Sequence, residues 1–211
     1  MSATVTTPVT PPLRPATAML SAAMTRLRRF TREEYHKLGE FGVIGADEKI
    51  ELLDGYIVEK PMKGPSHVAV TRRLVARLPR HLPPGWFVQT QDPVGLSNSE
   101  PEPDAAILRG DETSFDTHHP EPADVGIIIE VADSTIRADR REKGHLYAEA
   151  SLPVYWIINV ADGQIEVYTN PDSAANPPSY IDRTDFKPGQ DVPIVLDGAS
   201  IGSIPASDLI P

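Results

Sequence analysis

The chain has 211 residues, 40% hydrophobic and 24% charged, which gives a single domain enough apolar material for a core without disulfides or structural metals. It has no cysteine, which excludes disulfide scaffolds, thiolate metal sites, iron–sulfur clusters and cysteine nucleophiles, and fits a reducing, cytoplasmic setting. Its formal charge of −10 opposes nucleic-acid binding unless a local basic patch or bound cations overcome it.

Residues 1–26 are rich in Thr, Pro and Ala and without period, the composition of a flexible tail with no signal-peptide pattern. Residues 27–211 read as one domain. No apolar run reaches the ~18 residues that a membrane span needs. Thr31 with Glu34 three residues on is a capping box for a short helix to Leu38. Lys49 to Leu53 and Tyr56 to Val58 are two short strands, and Asp54-Gly55 between them is a hairpin turn. Val70, Leu74, Val75 and Leu78 recur at helical spacing, so a helix is expected from Pro65 to Leu82. Trp86 to Gln91 and Asp104 to Leu108 are strands. A polar loop, 110–123, leads to Val125-Gly126-Ile127-Ile128-Ile129, whose continuous apolar character means burial on both faces, hence a central strand. A helix over 138–150 and a second buried strand over 154–158 complete a right-handed parallel crossover. Asp162-Gly163 turns the chain into an antiparallel partner at 165–168. Beyond residue 170 the expectation is one strand at 192–196 inside a Pro-rich wrap. The fold class is α/β, a mixed central sheet flanked by helices.

The candidate chemistry is spread over three elements. Asp104 opens a strand, Glu130 ends the central apolar strand, and Lys143 lies on the following helix, where Asp139, Lys143 and Tyr147 at intervals of four share a face. If strands 104–108 and 124–131 are neighbours, both carboxylates reach one place. Two carboxylates beside a lysine suit magnesium-assisted phosphodiester hydrolysis, because Mg²⁺ prefers hard oxygen ligands and lowers the pKa of bound water. Each residue also has a plainer reading. Asp104 would cap a turn, Glu130 would emerge at the sheet edge, and Asp139–Lys143 would be a surface ion pair worth about 0.3–0.5 kcal/mol. A carboxylate ending an all-apolar strand is the least ordinary of these, since its burial is costly without a partner or metal.

The residues Ile50-Glu51-Leu52-Leu53-Asp54-Gly55, Gly64-Pro65-Ser66-His67, Pro103-Asp104, Ile128-Ile129-Glu130-Val131, Ser134-Thr135 with Asp139, Lys143 and Tyr147, and Tyr155-Trp156-Ile157 stand in the order and spacing of a known family. From Phe30 to Tyr168 the chain resembles the Uma-type restriction-endonuclease branch of the PD-(D/E)XK nuclease superfamily. The resemblance implies a restriction-endonuclease-like core and a Mg²⁺- or Mn²⁺-dependent DNA endonuclease, paired as a homodimer. It implies that Asp104 and Glu130 bind the metal. The superfamily lysine two residues after the strand carboxylate is replaced here by Ala132, and in this branch the lysine moves to the next helix, which is Lys143. Glu51 matches the branch's early glutamate, and its plain reading is a surface charge on a hairpin. His67 is a candidate for phosphate contact or proton transfer, against helix capping or packing. Arg137, Arg140 and Tyr147 are the expected substrate contacts. Gln91 reads as an ordinary polar strand position more readily than as a cleft residue.

Three other patterns are set aside. Gly198-Ala199-Ser200-Ile201-Gly202 spells a nucleophile elbow, but no histidine follows His145 and Pro205 interrupts the helix that the motif needs. Asp116, His118 and His119 are metal-ligand types in one loop, but no third spaced ligand is evident. Trp86 and Trp156 sit in apolar runs and read as core. The arginines at 72, 73, 77 and 80, and those at 26, 28, 29 and 32, form either a phosphate-binding patch or solvated faces. The −10 charge and Ala132 keep a non-catalytic module, binding nucleic acid or a protein, as the rival reading. A glycosidase needs one carboxylic acid held protonated, and a neighbouring lysine is expected to depress both carboxyl pKa values instead.

Overall fold

The computed structural model describes residues 27–45 and 47–210, so the 1–26 segment lies outside the described residues. The capping box forms as expected, with the Glu34 amide donating to Thr31 Oγ1, and opens helix α1 (Arg32–Glu40). Strands β1 (Ile50–Leu53) and β2 (Tyr56–Glu59) form a hairpin. Both turn residues have positive φ, 48° at Asp54 and 76° at Gly55. Gly55 is required there, because a Cβ would lie 2.6 Å from Arg29 Cβ.

Helix α2 runs Pro65–Arg77 and tightens into a 3₁₀ turn at Leu78–His81, where Pro79 cannot continue the α-helical bonding. Strands β3 (Trp86–Gln89), β4 (Ala105–Arg109), β5 (Val125–Ala132), β6 (Val154–Asn159), β7 (Gln164–Asp172) and β8 (Ser179–Phe186) form one sheet in that spatial order. Only β5 and β6 are parallel, and the crossover helix between them is α3, residues 136–149. All eight residues of β5 are buried, as its continuous apolar run requires.

Alternation along the strands divides the core. Ala105, Ile107, Ile127, Ile129, Trp156 and Ile158 face α2 and a hairpin of β9 (Asp191–Leu196) and β10 (Ala199–Pro205), with α4 (Ala206–Leu209) closing the chain. Ala106, Leu108, Ile128, Tyr155 and Ile157 face α3 and the Val94–Leu96 region. Gly126 lets the layers meet, since a Cβ there would lie 2.5 Å from Leu196 Cδ2 and 2.6 Å from Trp86.

The last 40 residues differ from the expectation of a wrap around one strand. β8 is an exposed edge strand whose Tyr-Ile-Asp-Arg-Thr-Asp segment carries no apolar alternation, and β10 pairs with β9 even though Pro205 ends it. The nucleophile-elbow pattern lies on the β9–β10 hairpin, where Ser200 continues into strand β10 and not into a helix.

Candidate active site

β4 and β5 are antiparallel, with Ala105 opposite Ile129 and Ala106 opposite Ile128. Continued by one residue, that register sets Asp104 across from Glu130, on the α3 side of the sheet. The Asp104 carboxylate is anchored to the neighbouring strand, its Oδ2 accepting the Val131 amide at 2.9 Å. The first turn of α2 brings His67 Nε2 to 2.8 Å from Asp104 Oδ1, and Lys63 Nζ lies 3.1 Å from the same oxygen.

On the next strand, Glu130 Oε1 accepts from Lys143 Nζ at 2.8 Å and from Tyr147 Oη at 2.6 Å. Lys143 also lies 3.6 Å from Glu51 Oε1. Glu51 Oε2 in turn accepts the Glu102 amide at 3.1 Å, which ties the β1–β2 hairpin to the segment leading into Asp104. Glu130 Oε2 has no hydrogen-bond partner among the described residues.

The helix that delivers Lys143 is irregular at that point. It runs as α-helix over Ile136–Ala138, as a π turn over Asp139–Lys143, and as α-helix again over Gly144–Glu149. In the π turn the Gly144 amide reaches back five residues to the Asp139 carbonyl, which also accepts the Tyr155 hydroxyl at 3.1 Å. This extra residue per turn lets Asp139, Lys143 and Tyr147 all face the sheet.

Glu51, Asp104, Glu130 and Asp139 are only 4%, 5%, 3% and 4% exposed, so the plain readings as surface charges do not hold. They line one cavity of about 350 Å³ together with His67, Lys63 and Lys143. Its wall carries eight carboxylates and three lysines, a formal excess of five negative charges.

The electrostatics of the two central carboxyls diverge. Burial alone would raise Asp104, but the hydrogen bond and charge of His67, the Val131 amide and Lys63 overturn it and hold the carboxyl below its usual value. At Glu130 burial wins over Lys143, and the negative charges of Asp104, Asp139 and Glu51 reinforce it, pushing the pKa up to about 8. Asp139 is also raised by burial, against the Thr135 hydroxyl and Lys143. Lys143 is pushed up by Glu130 and Glu51 in spite of its own burial. The expectation that a lysine would depress every nearby carboxyl is therefore corrected at Glu130, where lost hydration outweighs one ammonium.

The structure brings Asp104, Glu130, Lys143, Glu51 and His67 to this one cavity. None of the three expected substrate contacts lines the cavity. Tyr147 is fully buried and bonds Glu130, so it positions that carboxylate and has no surface to offer a substrate. Arg140 donates through Nε to Glu166 Oε2 at 2.9 Å, in a network with Asn159, Tyr168 and Arg183. Arg137 is exposed on the first turn of α3. Gln91 is exposed with φ of 59°, away from the cavity wall. Lys63 escaped the sequence reading, and its only signal is a basic residue directly before the Gly-Pro start of a helix.

A single restriction-endonuclease-like core, carrying a buried carboxylate–lysine site at the adjoining ends of two neighbouring strands, defines the class of this protein. Residues 32–198 match the family described as Uma2, putative restriction endonuclease. The chain belongs to that family. Among solved structures it is similar to a putative nuclease belonging to DUF820 from Anabaena variabilis, with 16% identity, a TM-score of 0.62, and coverage of 85% of this chain and 97% of that one. No curated protein matches the chain. No helix among the described residues is long and apolar enough to cross a membrane.

Proposed function

We propose that the chain is a divalent-metal-dependent DNA endonuclease of the PD-(D/E)XK type, hydrolysing phosphodiester bonds with Mg²⁺ or Mn²⁺ held by Asp104 and Glu130. The observation that carries this reading is the excess of carboxylates around Glu130 Oε2, an oxygen that opens on the cavity and has no hydrogen-bond partner among the described residues. A polyanionic substrate has no reason to enter such a cavity unless cations neutralise it. The donors are all oxygens, which is the set that Mg²⁺ and Mn²⁺ prefer.

When bound, the cation supplies charge neutralisation at the scissile phosphate and a more acidic water. The remaining work falls to the chain's own groups. Asp104 is pre-aimed by the Val131 amide and His67. Tyr147 and Lys143 hold Glu130 Oε1, leaving Oε2 as the oxygen that would take the cation. Lys143 Nζ, held between Glu130 and Glu51, orients the attacking water and donates to the developing negative charge on phosphate. It does the work of the superfamily lysine from the helix, because Ala132 is packed into the core under α3. His67 is placed to exchange a proton at the Asp104 side. Arg137, exposed on the first turn of α3, is a cation for the phosphate backbone. Two-strand cleavage by a homodimer belongs to the same proposal.

The rival reading is a nuclease-fold module that binds nucleic acid or a protein without cutting. It is favoured by one observation, that Asp104 already has His67, Lys63 and the Val131 amide as partners. Plasmid nicking decides between them. The proposal expects Mg²⁺- or Mn²⁺-dependent nicking that Asp104→Ala and Glu130→Gln each abolish while both variants remain folded. Equal residual activity in wild type and Asp104→Ala, or duplex binding in chelator with no nicking under any divalent ion, would overturn it.

A further inference from the structure

A second group of metal-ligating side chains lies outside that cavity. Among the described residues, one set of three His, Cys, Asp or Glu donors has all its ligand atoms within 4.8 Å of one another: His36, Glu100 and His119. They come from three different parts of the chain. His36 is on α1, Glu100 is in the segment between β3 and β4, and His119 is in the long loop before β5. The sequence reading had set aside His118 and His119 for want of a third spaced ligand. The fold supplies two, from 83 and 19 residues upstream of His119.

Glu100 is 4% exposed, and its buried carboxylate is aimed at the imidazoles. His36 Nε2 lies 2.8 Å from both of its oxygens. The His36 and His119 rings meet at 6.0 Å between centroids, edge to face. His119 is half-buried and has no hydrogen-bond partner among the described residues, although its neighbour His118 packs on Phe115. A pocket walled by Arg32, His36, Phe115, His119 and Glu121 opens beside them and leaves room for an ion and its water.

We propose that His36, Glu100 and His119 bind one transition-metal dication of the zinc type, with the fourth position open to water. Two imidazoles and one carboxylate favour Zn²⁺, Co²⁺ or Ni²⁺ and not Mg²⁺, which takes oxygen ligands. Tetrahedral coordination at bonds of about 2.0–2.1 Å sets ligand atoms roughly 3.3 Å apart. The His36–Glu100 contact must therefore open slightly, and His119, within 4.8 Å of the other two, must close by at most about 1.5 Å. Arg32 Nε donates to Glu100 Oε2 at 3.2 Å and remains as an outer partner that orients the carboxylate. Glu121, 3.8 Å from Arg32, balances that guanidinium, so the site is anionic before an ion enters.

The site's place in the fold gives it a role. The Glu100 amide donates to the Leu52 carbonyl at 2.7 Å, and two residues later the Glu102 amide holds Glu51. An ion on Glu100 ties α1 and the loop before β5 to the segment that ends in Asp104. It is a structural clamp, separate from the Mg²⁺ or Mn²⁺ cavity.

The test uses the full chain, whose residues 1–26 contain no His, Cys, Asp or Glu to compete. Zn²⁺ is titrated by calorimetry in excess Mg²⁺, and melting is followed with and without Zn²⁺. One site per chain is expected, weakened at least about tenfold by His36→Ala and by His119→Ala, and unchanged by His118→Ala or Asp104→Ala. Zn²⁺ should raise the melting temperature of wild type and His118→Ala but not of His119→Ala, whose loop position spares the core. Zn²⁺ binding that survives His119→Ala, that follows Asp104 instead, or that is displaced by Mg²⁺ would overturn the proposal. Plasmid nicking is read in separate assays on Asp104 and Glu130 variants, so failure of the clamp leaves the nuclease reading standing.

Discussion

Replacing Lys143 by Met removes one ammonium from among three buried carboxyls and keeps the length of the stem. Glu130 Oε1 is then left with the Tyr147 hydroxyl alone, and Glu51 with the Glu102 amide. Breaking a buried ion pair by removing one partner costs about 3–5 kcal/mol, because the other charge stays buried. Here the lower end applies, since burial already pushes the Glu130 carboxyl up and Lys143 is what lowers it, so without the ammonium the group takes up a proton and does not stay buried as a charge. A loss of about 3 kcal/mol lowers the melting temperature of a domain this size by roughly 6–12 °C. A divalent cation restores part of it, about 1.4 kcal/mol at ten times its dissociation constant, because it binds only the folded site. In wild type the ammonium on Glu130 Oε1 repels a cation at the same carboxylate, so Mn²⁺ should raise the melting temperature more in Lys143→Met than in wild type. Scanning calorimetry in chelator and in Mn²⁺ reads both effects. A variant that melts within about 2 °C of wild type in chelator, or that gains no more from Mn²⁺, would refute the compensation argument. Nicking by the variant should fall at least about a hundredfold, and retention of full activity would remove the lysine from the chemistry.

Tyr147→Phe deletes the 2.6 Å bond to Glu130 and leaves the ring packing intact. It should cost roughly 1–3 kcal/mol in denaturant unfolding and lower nicking without changing DNA affinity. Gly126→Ala forces a methyl against Leu196 and Trp86, and should cost about 1–3 kcal/mol with no specific effect on metal binding. Glu166 supplies a pH test away from the cavity. Burial raises its carboxyl, but hydrogen bonds from Arg140, Asn159 and Tyr168 and the charge of Arg183 win, lowering it from 4.5 to about 2. A depressed carboxyl stabilises the fold above its ordinary pKa and loses that contribution as pH falls toward about 2, here roughly 3 kcal/mol. Arg140→Ala should therefore lower stability at neutral pH and flatten the acid-side decline, and an unchanged acid profile would contradict the network.

The sequence made the middle of the molecule legible, because burial writes itself into composition there. Val125 to Ile129 is apolar on both faces only if it is central, Asp54-Gly55 takes positive φ, and Thr31 with Glu34 caps a helix, and all three are found. Glu130 was readable for the same reason, as a charge at the end of a run that cannot solvate it. The edge of the sheet was not readable. Strand β8 is held by its ladder to β7 and exposes most of its side chains, so no hydrophobic alternation marks it. Arg140 is taken by Glu166 on β7, a partner that the helical pattern of its own segment does not reveal. Glu51 could equally be read as a hairpin surface charge, because its burial comes from the segment around Glu102, 51 residues further on. His36 and His119 could not be paired without the fold, since neither element predicts contact with Glu100.

The most direct measurement of the central claim is a crystal of the full chain soaked in Mn²⁺ and Mg²⁺-free buffer, with anomalous scattering used to locate the ion. The account predicts a peak within bonding distance of both Asp104 and Glu130, with Lys143 beside it. A peak that avoids both carboxylates, or Lys143 still seated on Glu130 with no ion at saturating Mn²⁺, would contradict it.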